Sequence, residues 1–430
     1  EGQVFENLLG DGTLAPGVQM ELVAGGDIVR DNALQPVGED FVVDGDVGLV
    51  IQTETPGIQV GGSHERKGVI DHEGLCMDKR QPPLEYPKLV QVFNEYGEWM
   101  SRLGIRDVGA LNQMIASGNL LETILVSEAL QEQRIAQIAT LLSSLHPKVR
   151  LVLISGPSSS GKTTFSKRLA IQLLAHGIQP VALGLDDFLV EREDTPLDEE
   201  GDYDYESIKA QDLELFNDTL LALMRGQTVT LPHYNFLTGQ RERGNTITIS
   251  TDHLIIVEGI HGMNPDLVPH IPPEAIFRIY VSALTQLNLD RHNRVATTDT
   301  RLLRRIIRDA SHRGYSARET ISRWPKVRRG EYKWIFPYQE HADVMFNSAL
   351  VYELSVIKPM AEPLLLQIEP GKPEYIEAKR LLSFMQWFEP SSPDLVPDNS
   401  LLREFIGGSN LRDYRPVLNA PALIEPVLPR

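Results

Sequence analysis

A single cysteine, Cys76, stands in 430 residues, so an internal disulfide and a cysteine-based zinc site are excluded and a reducing, cytoplasmic setting is expected. Basic residues are scarce relative to acids: 41 Lys and Arg against 59 Asp and Glu leave a formal charge of -18. A chain-wide nucleic-acid or anionic-membrane partner would meet net repulsion, so any phosphate recognition must be local. Long apolar runs are missing. The longest, such as 151–154 and 254–257, fall far short of the roughly 18 residues a membrane span requires, and no charged start precedes an apolar signal core. No internal repeat is found. What is present, 42% hydrophobic and 23% charged residues, is ordinary globular composition at a length suited to two or three domains. A chain opening on Glu1 is expected to be a fragment or a processed form.

Charge and period divide the chain. Residues 1–60 carry about eleven acids and one base, Arg30, with short alternating runs at 18–23 and 41–43, so 1–75 reads as an acidic β-rich segment. Its acids sit beside turn glycines and read as a solvated surface. The stretch 61–83 looks like a linker, and His64 and His72 within it lack the spacing of helical metal ligands. Helical periodicity then marks 84–147 as an adapter, with helices from Pro87, over 108–116, and from a capping Ser127 to His146. From 148 to 370 strand-length apolar runs at 149–155, 180–185, 253–258, 276–281 and 342–347 alternate with helices. That pattern predicts an α/β fold, a doubly wound and mostly parallel sheet covered on both faces. A helix over 374–388, another over 400–405 and a Pro-rich tail make up a C-terminal extension, 371–430.

The strongest chemical signal is Gly156-Pro157-Ser158-Ser159-Ser160-Gly161-Lys162-Thr163, a G-x-x-x-x-G-K-[ST] loop between a strand and a helix closed by Gly177. Consecutive backbone N–H groups and the helix N-terminus, running on to Thr164, suit the phosphates of a nucleotide. Lys162 reaches the β/γ oxygens and Thr163 coordinates Mg²⁺. The strand at 181–185 ends in Asp186-Asp187, placing Asp186 where it can take the proton of an attacking hydroxyl or hold a metal-bound water; one of the two acids is expected to point inward. The strand at 254–257 ends in Glu258, a further Mg²⁺ or water ligand, and His261 follows as a structural or substrate-proximal residue. Between Arg291 and Lys333 thirteen basic residues stand against four acidic ones, with Arg301, Arg304, Arg305 and Arg308 at helical spacing. They form one cationic face, read as a mobile lid over the transferring phosphoryl group, hinged near Arg313 and Gly314.

These residues, from about 149 to 368, resemble the uridine kinase and phosphoribulokinase family of P-loop kinases, and more narrowly the bacterial uridine kinase-like (nucleoside kinase) proteins with an N-terminal accessory region. The likeness is carried by the P-loop and by L-D-D-F-L-V-E-R (185–192), G-D-Y-D-Y-E-S (201–207), L-P-H-Y-N-F (231–236), A-L-T-Q-L-N-L-D (283–290), T-T-D-T-R-L-L-R-R-I-I-R-D (297–309) and L-R-E-F-I-G-G (402–408). The resemblance implies a P-loop fold, Asp186 as catalytic acid/base, Asp204 holding ribose hydroxyls, Tyr234 against a nucleobase, and Arg305, Arg308 and Arg313 as lid arginines. Thr238-Gly239 stands where a base-reading His is expected, and Tyr315 replaces a further lid arginine. The expected activity is ATP- and Mg²⁺-dependent phosphorylation of a small-molecule hydroxyl, foremost the 5′-hydroxyl of a nucleoside such as uridine. Rival readings are a kinase of pantothenate or a sugar phosphate, a nucleotide-dependent RNA-associated ATPase, and a non-catalytic nucleotide binder. Self-association into a homo-oligomer stays open.

Overall fold

The structure, a computed structural model, describes residues 18–24, 40–41, 47–53, 86–236, 238–290 and 293–416. Cys76, His64, His72, the linker at 61–83 and the Pro-rich tail beyond 416 lie outside the described residues, as does most of the acidic segment. Within that segment β1 (Val18–Ala24), β2 (Asp40–Phe41) and β3 (Val47–Thr53) pair antiparallel in the order β1-β3-β2.

Three helices follow. Pro at the first position and a left-handed Gly104 bound α1 (Pro87–Leu103). The Asp107 side chain caps α2 (Val108–Ala116) by accepting from the Ala110 amide. The long α3 (Leu120–Leu145) begins seven residues before the expected cap at Ser127. Leu120, Thr123 and Ile124 extend its buried face N-terminally, and Ser127 lies inside the helix with its hydroxyl donating to Thr123 O at 2.7 Å. Packing overrides the capping signal there.

The α/β unit then runs β4 (Leu151–Ser155), α4 (Lys162–Ala175), β5 (Pro180–Gly184), α5 (Leu213–Met224), the hairpin β6 (Val229–Asn235) and β7 (Gln240–Ile247), β8 (Leu254–Glu258), β9 (Ile276–Ser282), α6 (Thr297–Arg308), α7 (Ala317–Trp334), β10 (Val344–Asn347) and α8 (Glu353–Leu365). The extension adds α9 (Tyr375–Met385) and the short α10 (Arg403–Ile406). All pairings in the five-stranded sheet are parallel, in the order β10-β9-β4-β8-β5. Side chains alternate across a strand, so Val152 and Ile154 of β4 face Phe165, Leu169 and Leu173 of α4 while Leu151 and Leu153 face Phe188 and Phe216. The first of these cores also takes in Ile124, Ile135, Ile138 and Leu142 of α3 and Leu401, Leu402 and Phe405 of the extension. The helices on either side of the α/β unit are thus built into its core. No helix among the described residues is long and apolar enough to cross a membrane.

Candidate active site

The loop between β4 and α4 needs glycine at both ends. Gly156 has φ 156° and Gly161 φ 85°; a Cβ on the first would strike Val281 O and on the second Leu401. Ser159 adopts φ 60°, a left-handed conformation that costs a non-glycine residue about 1–2 kcal/mol. The hydroxyls of Ser159 and Ser160 are buried with no hydrogen-bond partner. A cradle with orphaned donors fits a polyanion, since an unmade hydrogen bond in a buried site is costly. The Lys162 ammonium sits inside the curve of the loop, donating to Gly156 O at 2.9 Å and Pro157 O at 3.1 Å. Burial lowers its pKa, opposed by Glu258, Glu404 and Asp186. Thr163 Oγ1 donates to Glu258 Oε2 at 3.2 Å, so a hydroxyl and a carboxylate, the hard oxygen donors that suit Mg²⁺, meet at the end of β8.

Asp186, on the single turn of 3-10 helix at Leu185–Phe188, is exposed to solvent and faces the charges of Lys162, Arg313 and Arg308. Desolvation by the cleft walls raises its pKa, and the cations that oppose the shift are Lys162, then Arg313 and Arg308. Asp187 turns the other way: its Oδ1 accepts from Tyr234 N at 3.2 Å and lies 3.0 Å from His233 Nδ1, tying the hairpin to the turn. The strand that leads into the Asp186 turn, β5, is the edge strand of the sheet and does not pair with β4. β8 lies between them, so Glu258 comes from the adjacent strand and Asp186 from the sheet edge. Desolvation pushes Glu258 up to about 7, with Lys162 opposing and Asp186 and Glu404 reinforcing. Glu206, which the sequence reading passed over, is pushed to about 7 by burial and then by Glu331, with Arg305 and Lys162 opposing.

The basic helix departs from the expected lid. Arg301 and Arg304 are fully buried under the P-loop. Arg301 donates to Ser158 O at 2.9 Å and pairs with Glu331, which also accepts from the Ser158 amide at 3.1 Å. Arg304 donates to Glu353 at 2.7 Å and to Ser348 O at 3.0 Å. These two are pillars of the loop, because α6 packs its buried face against it; the four arginines do not form one solvated cationic face. Arg305 donates to Ser158 Oγ at 2.8 Å. Arg305, Arg308 and Arg313 converge on Asp309 at 3.3, 3.6 and 3.6 Å. Burial first, and Arg313 next, bring Arg308 down to about 10. Gly314, at φ 69°, closes the turn after Arg313.

Asp204 is half-buried, and its Oδ1 accepts from the Glu206 amide at 3.2 Å. Tyr234 is only 2% exposed, clustered with Leu189 and Ala210 and set edge-on to Phe236, so little of its ring is open to a ligand. His261 is buried; desolvation lowers its pKa to about 4, with the Ser207 backbone opposing. Asp198, Glu200 and Asp202 make the acidic cluster of metal-site dimensions among the described residues, and Lys326 is paired with all three. Glu331 and Glu404 hold the Ser158 and Thr164 amides from far along the chain; Glu404 lies within the L-R-E-F-I-G-G run, but nothing in the sequence assigns either acid to the loop.

Residues 151–355 match the family described as Phosphoribulokinase / Uridine kinase family. The α/β region is a domain of that family. Among curated proteins, the uridine kinase of Borrelia duttonii (strain Ly) is 29% identical over 220 residues, covering 48% of this chain and 93% of that protein. The uridine kinase of Halobacterium salinarum (strain ATCC 700922 / JCM 11081 / NRC-1) is 27% identical over 194 residues, 45% of this chain and 77% of its own. Among solved structures, a possible uridine kinase from Bacillus stearothermophilus is 26% identical, covering 34% of this chain and 79% of that one at a TM-score of 0.30. The kinase-family domain therefore belongs to the phosphotransferase class.

Proposed function

We propose that the domain transfers the γ-phosphoryl group of ATP to a hydroxyl of a small molecule, foremost the 5′-hydroxyl of a nucleoside such as uridine. What supports this reading is the closeness of the Asp186 carboxylate to the Lys162 ammonium beside the P-loop, near enough for each to shift the other's titration. The curated relatives named uridine kinase support the acceptor class.

In this reading the acceptor oxygen attacks the γ-phosphorus, the bond to the β,γ-bridging oxygen breaks, and the acceptor proton passes to Asp186. The raised pKa of Asp186 brings its basicity closer to working pH, which favours proton transfer. Lys162 and the loop amides stabilise charge on the phosphates, and Arg305 and Arg308, held at the loop by Ser158 and Asp309, do so at the transferring group. Arg313 and Asp204 serve the acceptor side, while Tyr234, assigned to the nucleobase by the resemblance, is packed with Leu189 and Ala210 and offers little ring surface to it. Thr163 and Glu258, with Asp186 nearby, are the groups that would hold Mg²⁺. When bound, Mg²⁺ neutralises negative charge on the β- and γ-phosphates.

The test is ADP release measured with uridine, cytidine, adenosine, pantothenate and sugar phosphates as acceptors, on the wild type and on Asp186→Asn. Uridine or another nucleoside should stimulate release, and Asp186→Asn should bind ADP with near-normal affinity yet lose turnover. Stimulation by pantothenate or a sugar phosphate alone would replace the nucleoside assignment, and near-normal turnover of Asp186→Asn would remove the base.

A further inference from the structure

The first turn of the P-loop helix already holds an anion belonging to the chain itself. Glu404 Oε2 accepts from the Thr164 amide at 3.0 Å and from the Thr164 hydroxyl at 2.9 Å. Its carboxylate is also near enough to Lys162, Glu258 and Arg308 to shift the titration of each. The segment that delivers Glu404 is fastened over the loop at several points. Leu401 lies against Gly161, and the Phe405 ring sits under the Arg304 guanidinium at 5.0 Å. Ser400 donates to Glu128, and Lys167 of α4 donates to Leu411 O and Arg412 O, each at 2.7 Å. The segment itself, 400–412, lies beyond residue 355, outside the family match.

A phosphate chain seated in a P-loop takes the successive N–H groups of the loop and the first helical turn. Thr164 supplies one of them, and a single N–H cannot serve two anions at hydrogen-bonding distance. We propose that Glu404 is a built-in competitor for the nucleotide site: its carboxylate fills the Thr164 seat that the phosphate chain needs, and nucleotide enters by displacing the turn at 400–406. This inference rests on the nucleotide-binding reading of the P-loop. It gives the C-terminal extension a function, the setting of nucleotide affinity.

Calorimetric titration of ADP into the full chain tests it, comparing wild type with Glu404→Gln and Glu404→Ala. Removal of the competitor should tighten ADP binding by about tenfold, the factor by which a competent fraction of about one tenth weakens apparent affinity. Glu404→Gln, which keeps an acceptor but loses the charge, should fall between. Hydrogen exchange of the wild type supplies a readout that needs no variant: saturating ADP should speed exchange of the amides at 400–406. Equal or weaker ADP binding in both variants, or unchanged or slower exchange at 400–406, overturns the competitor while leaving the P-loop reading intact. Absence of ADP binding in wild type and both variants alike brings down the nucleotide reading and the competitor with it.

Discussion

At Lys162 a buried ammonium is held by two carbonyls of its own loop and balanced by carboxylates from β8, from the turn after β5 and from the C-terminal extension. Lys162→Ala should therefore lower kcat by about 10²–10³, the range seen when one transition-state donor is removed. Glu206 and His261 predict opposite pH dependences of stability. Glu206 moves from 4.5 to about 7, so the folded chain keeps a proton that the unfolded chain releases, and its contribution to stability is lost as pH rises from 4.5 through 7. His261 moves from 6.5 to about 4, so the unfolded chain binds the extra proton and stability is lost as pH falls from 6.5 through 4. Thermal melts from pH 4 to 8 should show Glu206→Gln gaining on wild type as pH rises across its window. His261→Gln should gain on wild type as pH falls across the other. Curves that run parallel to wild type would contradict both assignments.

Among the elements, α6 separates support from chemistry along one helix. Arg301 is sealed against Glu331, and truncating one partner of such a pair leaves a buried charge, at a cost of roughly 3–5 kcal/mol. Arg301→Met should accordingly lower the melting temperature sharply, whereas Arg305→Met, at the cleft edge, should lower kcat more than stability. Equal thermal losses in the two variants would show that the division is wrong. The same helix shows what a sequence reveals. Spacing three and four apart announces a shared face, but it does not say whether that face meets water or protein, and here Arg301 and Arg304 meet the underside of the P-loop. The five sheet strands were legible because strands buried on both faces read as apolar runs with turns at each end. The hairpin of β6 and β7 escaped notice for the converse reason: its faces are largely polar, with Thr228 and Thr230 paired to Thr248 and Thr246 across it. Lys162, Thr163, Asp186 and Glu258 could be proposed from loop and strand-end position. Glu331 and Glu404 could not, because each reaches the loop from more than 170 residues away.

Across the whole molecule the helices before and after the family domain share its core, so they should not unfold apart. Ile135→Ala, in the contact between α3 and α4, should cost about 2–5 kcal/mol. Denaturant curves followed by tryptophan fluorescence, which samples Trp99 in α1, Trp324 and Trp334 in α7 and Trp387 after α9, should coincide with those followed by far-ultraviolet circular dichroism. Separate midpoints would mean that the adapter is an independent unit. Glu128 shows how the joining is done. Its carboxylate accepts from Tyr352 OH at 2.7 Å and from Ser400 Oγ, and lies 3.5 Å from Arg168 on the P-loop helix. On a ribosome, α3 emerges long before Ser400, so for most of synthesis this carboxylate waits for a partner 272 residues downstream. The strap that carries Glu404 can therefore cross the phosphate cradle only after every residue it is fastened to, from Glu128 to Arg304, has already been made.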